Sequence, residues 1–356
     1  MDTTDVSQQS GDRDRGGLDL THRLLVQVPA DRAGELWSVG DDDDGGLVVS
    51  GAGALTAASA GARGTTRPVL VDRRRYAGKN RPPGTVRFDI SWIEGQRDLN
   101  TATVLTDSGY VGKGDHAALA AILEQTTRAG DNVCAVLPLH LSWLANPGVK
   151  HLIVEVNHHE VPVALVLEYG SDPLGTQYAV TGLKHLLSQA RVPVSLLCTD
   201  ISGLGAMAYG AAWAAVGVTS SLRHLYPASG TGPPFRALRP RHAIVPRLMT
   251  LMNAERIAEG WALVQRHDDV DESLWRCDCA ECGNRTMDRF ATCTDLSLAA
   301  HNVNILGDLH QQVTSPASWD QAISDALGWY VWMQNEYHLT WEPPAFMNAW
   351  LPKSRR

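Results

Sequence analysis

The chain has 356 residues, of which 44% are hydrophobic and 20% charged, and its formal net charge is −8. This length allows one large α/β barrel or two ordinary domains, and the composition is typical of a soluble globular protein. No apolar run approaches the length of a membrane span, and the polar, acidic start does not resemble a signal peptide. We therefore expect a cytoplasmic protein without a membrane partner.

The negative charge is concentrated at the amino end. Residues 1–45 contain eleven acidic and four basic residues, which leaves a net charge of −1 on the other 311 residues. The first 20 residues are polar enough to be disordered, and we treat 1–45 as an acidic, disordered segment. Two basic runs, 73–81 and 223–247, could contact the phosphates of a partner such as tRNA or DNA.

Short apolar segments alternate with helical patterns beyond this segment. The predicted strands are 47–50, 68–72, 103–106, 132–137, 162–167, 193–198, 215–219 and 243–247, and His22–Val28 could be a further, first strand. Helical patterns lie between several of them, at 116–129, 149–159, 176–190 and 205–213. Apolar strands that alternate with helices favour a parallel sheet buried on both faces. Eight of them predict an α/β fold, a (β/α)8 barrel over 46–265, with a doubly wound sheet as the second choice.

Residues 266–356 are predicted to be a zinc-binding and helical part that packs on the barrel. Helical patterns cover 248–266, 296–313 and 318–332. The last forty residues are rich in tryptophan and tyrosine, which we interpret as core packing.

Three cysteines, Cys277, Cys279 and Cys282, fall within six residues at a C-x-C-x2-C spacing. Thiolates this close repel one another unless a cation holds them, and Zn²⁺ prefers Cys and His ligands in a tetrahedron. We choose His301 as the fourth ligand, with Cys293 and His310 as alternatives. A closed site of this kind is structural, so the chemistry must lie elsewhere.

Reactive residues of a parallel barrel project from the carboxyl ends of its strands. Asp107 follows such a strand and could accept a proton or hydrogen-bond a ligand, while Gly109 would let the ligand approach the backbone. An ordinary Asp-Ser-Gly turn explains the same residues equally well. Glu168 and Asp200 follow later strands, and in a barrel they would converge on the same mouth and shift each other's pKa values.

Two segments resemble the tRNA-guanine transglycosylase (queuine tRNA-ribosyltransferase) superfamily. Leu105-Thr-Asp-Ser-Gly109 is similar to the family's L-T-D-S-G-G segment, and the cysteine cluster followed by His301-Asn302 is similar to its zinc site. In outline the resemblance covers residues 45–335, and it implies a barrel in which Asp107 and Ser108 hold a base and His301 completes the zinc site.

The chain departs from this family at three positions. Tyr110 replaces the second glycine, Pro138 stands near the place of an acidic base-reading residue, and His242 stands where the nucleophilic aspartate is expected. We therefore predict a divergent member that lacks the usual nucleophile.

Three hypotheses follow. The first is a glycosyltransferase-like enzyme that acts by base exchange or N-glycosidic chemistry on a nucleobase or nucleoside, either free or within tRNA or DNA. Asp107 and Asp200 would then be catalytic, and Ser108, Gly109 and Glu168 would contact the base. The second is a non-catalytic subunit that binds nucleic acid or a protein partner, in a homo- or hetero-oligomer. The third is a barrel enzyme for an unrelated small substrate.

Overall fold

Eight parallel strands form a nearly closed ring in the computed structural model, which describes residues 19–37, 39, 45–61, 65, 67–99, 101–228, 241–267 and 270–351. The strands are β1 (Arg23–Pro29), β2 (Gly45–Ser50), β3 (Val69–Asp72), β4 (Val104–Leu105), β5 (Val133–His140), β6 (Val163–Glu168), β7 (Val194–Thr199) and β8 (Trp213–Gly217). They pair in the order β3-β2-β1-β8-β7-β6-β5-β4, and β3 and β4 lie side by side where the ring closes. The predicted (β/α)8 barrel is confirmed.

Helices follow the strands and cover the outside of the ring. They are α1 (Ala33–Leu36), α2 (Ala54–Gly61), α3 (Ile90–Asp98), α4 (His116–Ala129), α5 (Gly148–His159), α6 (Gln177–Gln189) and α7 (Ser202–Ala208). Side chains along each strand point alternately to the inside and the outside of the ring, so two hydrophobic cores form, as in any barrel. Leu25, Val48 and Leu70 pack inside the ring, whereas Val26 and Val49 pack outside it.

The carboxyl-terminal part begins with an antiparallel hairpin of β9 (His242–Val245) and β10 (Thr250–Asn253). It continues with α8 (Ala254–Val264), the two-residue strands β11 (Arg276–Cys277) and β12 (Arg285–Thr286), α9 (Asp295–Gln312), α10 (Pro316–Tyr337) and α11 (Ala345–Trp350). Helix α9 packs against β1, α1 and β9, and α10 packs against α7. The predicted helical part is therefore present, and it completes the outer layer of the barrel next to β1.

One strand prediction was wrong, and the possible first strand at His22–Val28 is confirmed as β1. The segment 243–247 was counted as the eighth strand, but it forms the β9–β10 hairpin outside the barrel. The eighth place belongs to β1, which pairs with both β2 and β8. The barrel consequently begins well before residue 46, and β1 lies inside the range that was predicted to be disordered.

Smaller corrections concern helix ends. The helical pattern at 205–213 runs from Ser202 to Ala208 instead, because Trp213 already starts β8. The pattern at 248–266 becomes β10 followed by α8, which begins after Asn253 accepts a hydrogen bond from the backbone of Arg256. Residues 1–18, 38 and 40–44 of the predicted acidic segment, and residues 229–240 of the basic run, lie outside the described residues.

Among the described residues, no helix is both long enough and apolar enough to cross a membrane.

Candidate functional site

Asp107 lies at the end of β4, where its carboxylate is enclosed by the chain's own cations. Arg73 and Arg75 approach one carboxylate oxygen at 3.0 and 3.2 Å, and the backbone N–H of Asp89 donates to the other at 3.1 Å. Burial raises the pKa of Asp107, while the Asp89 N–H and the two guanidinium groups act in the opposite direction. Both oxygens of this carboxylate therefore have partners within the protein.

Ser108 and Gly109, next to Asp107, pack against neighbouring parts of the protein. The Ser108 hydroxyl is fully buried and hydrogen-bonds to the hydroxyl of Thr106 at 2.8 Å. A Cβ on Gly109 would lie 2.3 Å from the carbonyl oxygen of Pro83, so the neighbouring loop occupies the space next to this glycine. Because Gly109 has no side chain, the backbone of the neighbouring loop can approach it closely. We had expected this space to accommodate a ligand.

Glu168, at the end of β6, lies in a second ion-paired cluster. Arg81 forms a salt bridge with one of its carboxylate oxygens, and the hydroxyl of Tyr110 donates to the other. The Arg81 guanidinium also lies 3.4 Å from the centroid of the Tyr110 ring. Burial is the main reason that the pKa of Tyr110 is raised, and its bond to Glu168 adds to it. Tyr110 thus joins Arg81 and Glu168 in one cluster at the end of β6.

These contacts change the interpretation of the basic run at 73–81. Arg73, Arg75 and Arg81 point at Asp107 or Glu168 and neutralise them. A guanidinium that is already paired with a carboxylate has less to offer a phosphate. The arginines of this run therefore stabilise the mouth of the barrel through ion pairs. That the run also binds phosphates remains a prediction.

Asp200, at the end of β7, lies in a pocket that it shares with a second carboxyl group. Its Oδ1 accepts hydrogen bonds from the backbone N–H and the hydroxyl of Ser202, at 2.9 and 2.5 Å. Asp172, in the loop after β6, lines the same small pocket, whose free volume is about 10 Å³. Burial and the negative charge of Asp200 raise the pKa of Asp172 to about 8. Two neighbouring carboxyl groups therefore share one pocket, and Asp172 is protonated near neutral pH.

Two side chains come from the loop after β8: Arg223 lines the pocket, and His224 lies close enough to interact electrostatically with Asp200. Burial lowers the pKa of Arg223 to about 10, and burial also lowers the pKa of His224 to about 4, so that this imidazole is neutral at physiological pH. Three solvent-shielded atoms at this place have no hydrogen-bond partner among the described residues: Asp172 Oδ2, Arg223 Nη2 and His224 Nε2. Buried polar atoms without partners are rare in folded proteins, and these three atoms make this part of the mouth a candidate functional site.

A buried polar network fixes the loop that carries Arg223. Inside the barrel, Asp72 accepts hydrogen bonds from the Tyr76 hydroxyl at 2.7 Å and from the Gln27 amide at 3.2 Å. The backbone N–H of Arg74 donates to Asp72 at 2.9 Å, and the Arg74 guanidinium donates to the carbonyl of Ser221 at 2.7 Å. The chain from Asp72 to Ser221 ties β3 to the loop that follows β8.

The last barrel strand offers no carboxylate. Strand β8 ends at Gly217, which has no side chain, and a Cβ there would lie 2.3 Å from the carbonyl oxygen of Leu222. His242, which we had matched to the family's nucleophilic aspartate, begins β9 outside the barrel. The sequence match at His242 therefore does not identify a residue of the mouth.

The cysteine cluster forms a compact buried group. One ligand atom each from Cys277, Cys279, Cys282 and His301 lies within 4.8 Å of all the others. The three sulfur atoms are 3.5, 3.6 and 3.3 Å from Nδ1 of His301. Tetrahedral coordination with the usual Zn–S and Zn–N lengths requires about 3.6 Å between S and N. The residues present therefore fit a tetrahedral metal ion.

Contacts around His301 orient it for this role. Its Nε2–H donates to the carbonyl of Ile244 at 2.8 Å, which leaves the lone pair of Nδ1 directed at the sulfurs. The neighbouring Asn302 side chain also bonds to β9, because it donates to the carbonyl of His242 and accepts from the N–H of Ile244. Of the two alternative ligands, Cys293 faces Arg241, and His310 lies nine residues further along α9, about 13 Å away.

Sequence reasoning missed Asp172, Arg223 and His224. Asp172 lies four residues beyond the end of β6. Its side chain caps the short turn that follows by accepting a hydrogen bond from the N–H of Leu174. Arg223 and His224 fall inside a run that we had interpreted only as basic surface. Nothing in the local pattern distinguishes them, because the pocket forms only when the loops after β6, β7 and β8 meet.

Comparison with known proteins adds little to this description. No protein-family model matches the chain, and no curated protein matches it by sequence. Among solved structures, several of the tryptophan synthase alpha-subunit from the hyperthermophile Pyrococcus furiosus are similar, at 12–13% identity. The matches cover 55% of this chain and 87% of that subunit, with a TM-score of 0.36. The barrel assignment therefore rests on the strand pairing of this chain, which defines a (β/α)8 barrel with a Cys3His group that could hold a metal ion.

Proposed function

We propose that the protein acts on a nucleobase or nucleoside by N-glycosidic chemistry, as a divergent relative of the tRNA-guanine transglycosylases, in the pocket between β6 and β7. The observation that supports this best is the pair Asp172 and Asp200, two carboxyl groups that share one enclosed pocket at the carboxyl end of the barrel. Pairs of carboxyl groups with different protonation states supply the acid and the carboxylate that glycosidic bond cleavage requires.

Asp172 would be the acid. Because its carboxyl group is protonated near neutral pH, it can give its proton to a ring nitrogen of the base as the bond between that nitrogen and C1′ of the sugar breaks. The bonding electron pair leaves with the base, which departs neutral. Asp172 is then ionised, and it regains a proton from the incoming base or water.

Asp200 would face the sugar. Its carboxylate, held by Ser202, can stabilise the positive charge that develops at C1′ or form a bond to that carbon. An incoming base or a water molecule then attacks C1′ and releases Asp200. The unpaired Arg223 Nη2 and the neutral imidazole of His224 would hydrogen-bond the base and select it by its acceptor atoms.

One observation favours the non-catalytic alternative. Strand β8 ends at Gly217, so the mouth lacks a carboxylate where the family has its nucleophile, and Asp107 is neutralised by two arginines. If Asp200 does not replace that nucleophile, the same pocket would bind a base without turning it over. The protein would then be a nucleic-acid- or partner-binding subunit.

A base-exchange assay separates these functions. We would measure incorporation of radiolabelled guanine or 7-deazaguanine into tRNA and DNA, and release of free base from nucleosides, at pH 6–8. Loss of an acid or a nucleophile costs at least about 100-fold in rate, so Asp172→Asn and Asp200→Asn should lose activity. The matched control is Asp131→Asn, an exposed carboxylate at the opposite end of the barrel, which should keep it.

Full activity in Asp200→Asn, with loss in Asp107→Asn, would return catalysis to Asp107, as the sequence alone predicts. No turnover in the wild type, together with salt-sensitive binding to tRNA or DNA, would establish the non-catalytic alternative.

We also propose that the Cys3His group holds a structural Zn²⁺. The sulfur-to-nitrogen distances and the second hydrogen bond of His301 support it. Bound there, the ion would join the loop 277–282 to α9, and through Ile244 to the hairpin of β9 and β10. Its removal with a chelator should therefore expose residues 270–350 to limited proteolysis before the barrel strands. Equal cleavage of this region with and without chelator would contradict the proposal.

A further inference from the structure

A groove on the outside of the barrel lies between α3 and α4, and its free volume is about 550 Å³. Each helix presents one face to it, because the lining residues are spaced by three or four positions. These residues are Ile90, Ile93 and Arg97 on α3, and Ala121, Gln125 and Ala129 on α4. The groove therefore extends along about two turns of both helices.

The outer layer of the barrel is thin at this place. Helix α4 packs against α5, and α5 packs against α6, whereas α3 and α4 barely touch each other. The core beneath α3 is a small cluster of Ile93, Val104 and Val133 that is separate from the main core. At the lower end of the groove, Arg97 donates to the carbonyl of Ala129 at 2.6 Å. The gap between the two helices can thus receive one face of a further helix.

Apolar side chains in the groove are open to solvent. Ile90 is 71% exposed, more than any other large apolar side chain in the described part of the chain. Phe88 is half-buried and lines the same groove, and its backbone N–H donates to the side chain of Gln125 at 2.9 Å. Exposed apolar side chains that share one concave surface are typical of sites that bind other proteins.

The charges of the groove are mainly positive, since three arginines and one glutamate line it. Arg128 forms a salt bridge with Glu124 at 2.9 Å, so these two charges offset each other. The guanidinium of Arg87 makes no hydrogen bond or salt bridge with a described residue, and Arg97 is bound to a backbone carbonyl rather than to a carboxylate. Two arginines therefore lack a counter-charge, although the whole chain has a net charge of −8. Such a surface favours an acidic partner.

We propose that this groove binds an acidic, amphipathic helix of a partner protein. Apolar side chains of that helix, at positions i, i+3 or i+4 and i+7, pack on Phe88 and Ile90, and its carboxylates pair with Arg87 and Arg97. A nucleic acid suits the groove less well, because much of the lining is apolar. The surface is separate from the Asp172–Asp200 pocket, and the proposal does not rest on chemistry there.

The test selects binders from a displayed library of short helical peptides on the full-length protein. Counter-selection on the Ile90→Asp variant removes peptides that bind elsewhere, such as at the barrel mouth. We expect the recovered peptides to repeat apolar residues at helical spacing and to contain more acidic than basic residues. Their affinity, measured by fluorescence anisotropy, should fall as salt is added, because the arginines of the groove are exposed to solvent.

Two further variants locate the site. Arg87→Glu should weaken the best peptide about tenfold, because it places a like charge opposite the carboxylates, and Ile90→Ala should weaken it about fivefold. The matched controls are Arg266→Glu, at an exposed position after α8, and Val154→Asp, at a position on α5 that is 62% exposed. Both controls should bind the peptide like the wild type.

The proposal is overturned if no peptide survives the counter-selection, if the recovered peptides lack the acidic and periodic pattern, or if Arg87→Glu binds them like the wild type. Sedimentation of the protein alone tests a second copy of the chain as the occupant. A dimer that Ile90→Asp converts into a monomer would assign the groove to that copy instead. Displacement of the best peptide by a synthetic peptide of residues 1–18 would assign it to the chain's own amino-terminal segment. Either result also overturns the proposal.

Discussion

The carboxyl groups in the two halves of the barrel mouth have different neighbours. At β4 and β6, Asp107 and Glu168 each have arginine partners that approach from the loop after β3. At β7, Asp200 interacts electrostatically with the buried Arg223 but also lies beside a second carboxyl group, Asp172, and three shielded polar atoms there have no partner among the described residues. An ion-paired carboxylate stabilises the fold, whereas two carboxyl groups that share one buried site are costly and are kept mainly where they do chemistry.

The comparison shows that position at a strand end is not enough to identify a reactive residue. Asp107, Glu168 and Asp200 all follow barrel strands, as the sequence predicts. What separates them is the direction of three arginines and the presence of Asp172, and these depend on how the loops fold back over the ring. The comparison can be tested by removing carboxyl groups one at a time from each half.

The largest effect is expected for Glu168→Gln. This change leaves the Arg81 guanidinium buried without its counter-charge, since the two side chains are only 9% and 5% exposed. Breaking a buried ion pair by removing one partner costs about 3 kcal/mol or more. Urea unfolding at pH 7 would measure the loss. A change below about 0.5 kcal/mol would show that the two groups are not paired in solution.

Asp107→Asn should destabilise the protein less, by about 2 kcal/mol. Arg73 and Arg75 are more exposed than Arg81, and Arg73 keeps a second partner, Asp89, at 2.8 Å. The control for both variants is Asp131→Asn, at an exposed site before β5, which should unfold like the wild type. If Asp107→Asn unfolds like this control, the arginine cluster does not hold the mouth together.

Much of the fold follows from local patterns. Helix α4 was predicted with its observed ends, because Asp115 caps its start and Gly130 ends it. The eighth strand could not be placed from pattern alone. Both His22–Val28 and 243–247 are short and apolar, and only pairing with β2 and β8 shows that the first belongs to the ring.

The two candidate sites also differ in how far they could be predicted from the sequence. The cysteine cluster and His301 were predictable because metal coordination constrains residue type and spacing within a short stretch. The Asp172–Asp200 pocket was not, because its residues come from three loops of the barrel and carry no shared spacing. The nucleophile was sought at His242 because a similar short sequence occurs there, while the structure ends β8 at Gly217.

The contrast between the two halves of the mouth is tested most directly by the pH dependence of the stability of Asp172→Asn relative to the wild type. The pKa of Asp172 is raised to about 8 in the folded protein, above its ordinary value near 4 in the unfolded chain. Between these values the folded state binds the extra proton, so wild-type stability should fall as the pH rises from 4 to 8. An asparagine does not titrate, so the variant lacks this pH-dependent contribution.

The measurement is urea unfolding of both proteins at pH 5, 6, 7 and 8. The account predicts that Asp172→Asn gains on the wild type at each step, by about 1 kcal/mol or more between pH 5 and pH 8. A difference between the two proteins that does not change with pH would contradict it, because Asp172 would then titrate normally and the pocket would hold no paired acid.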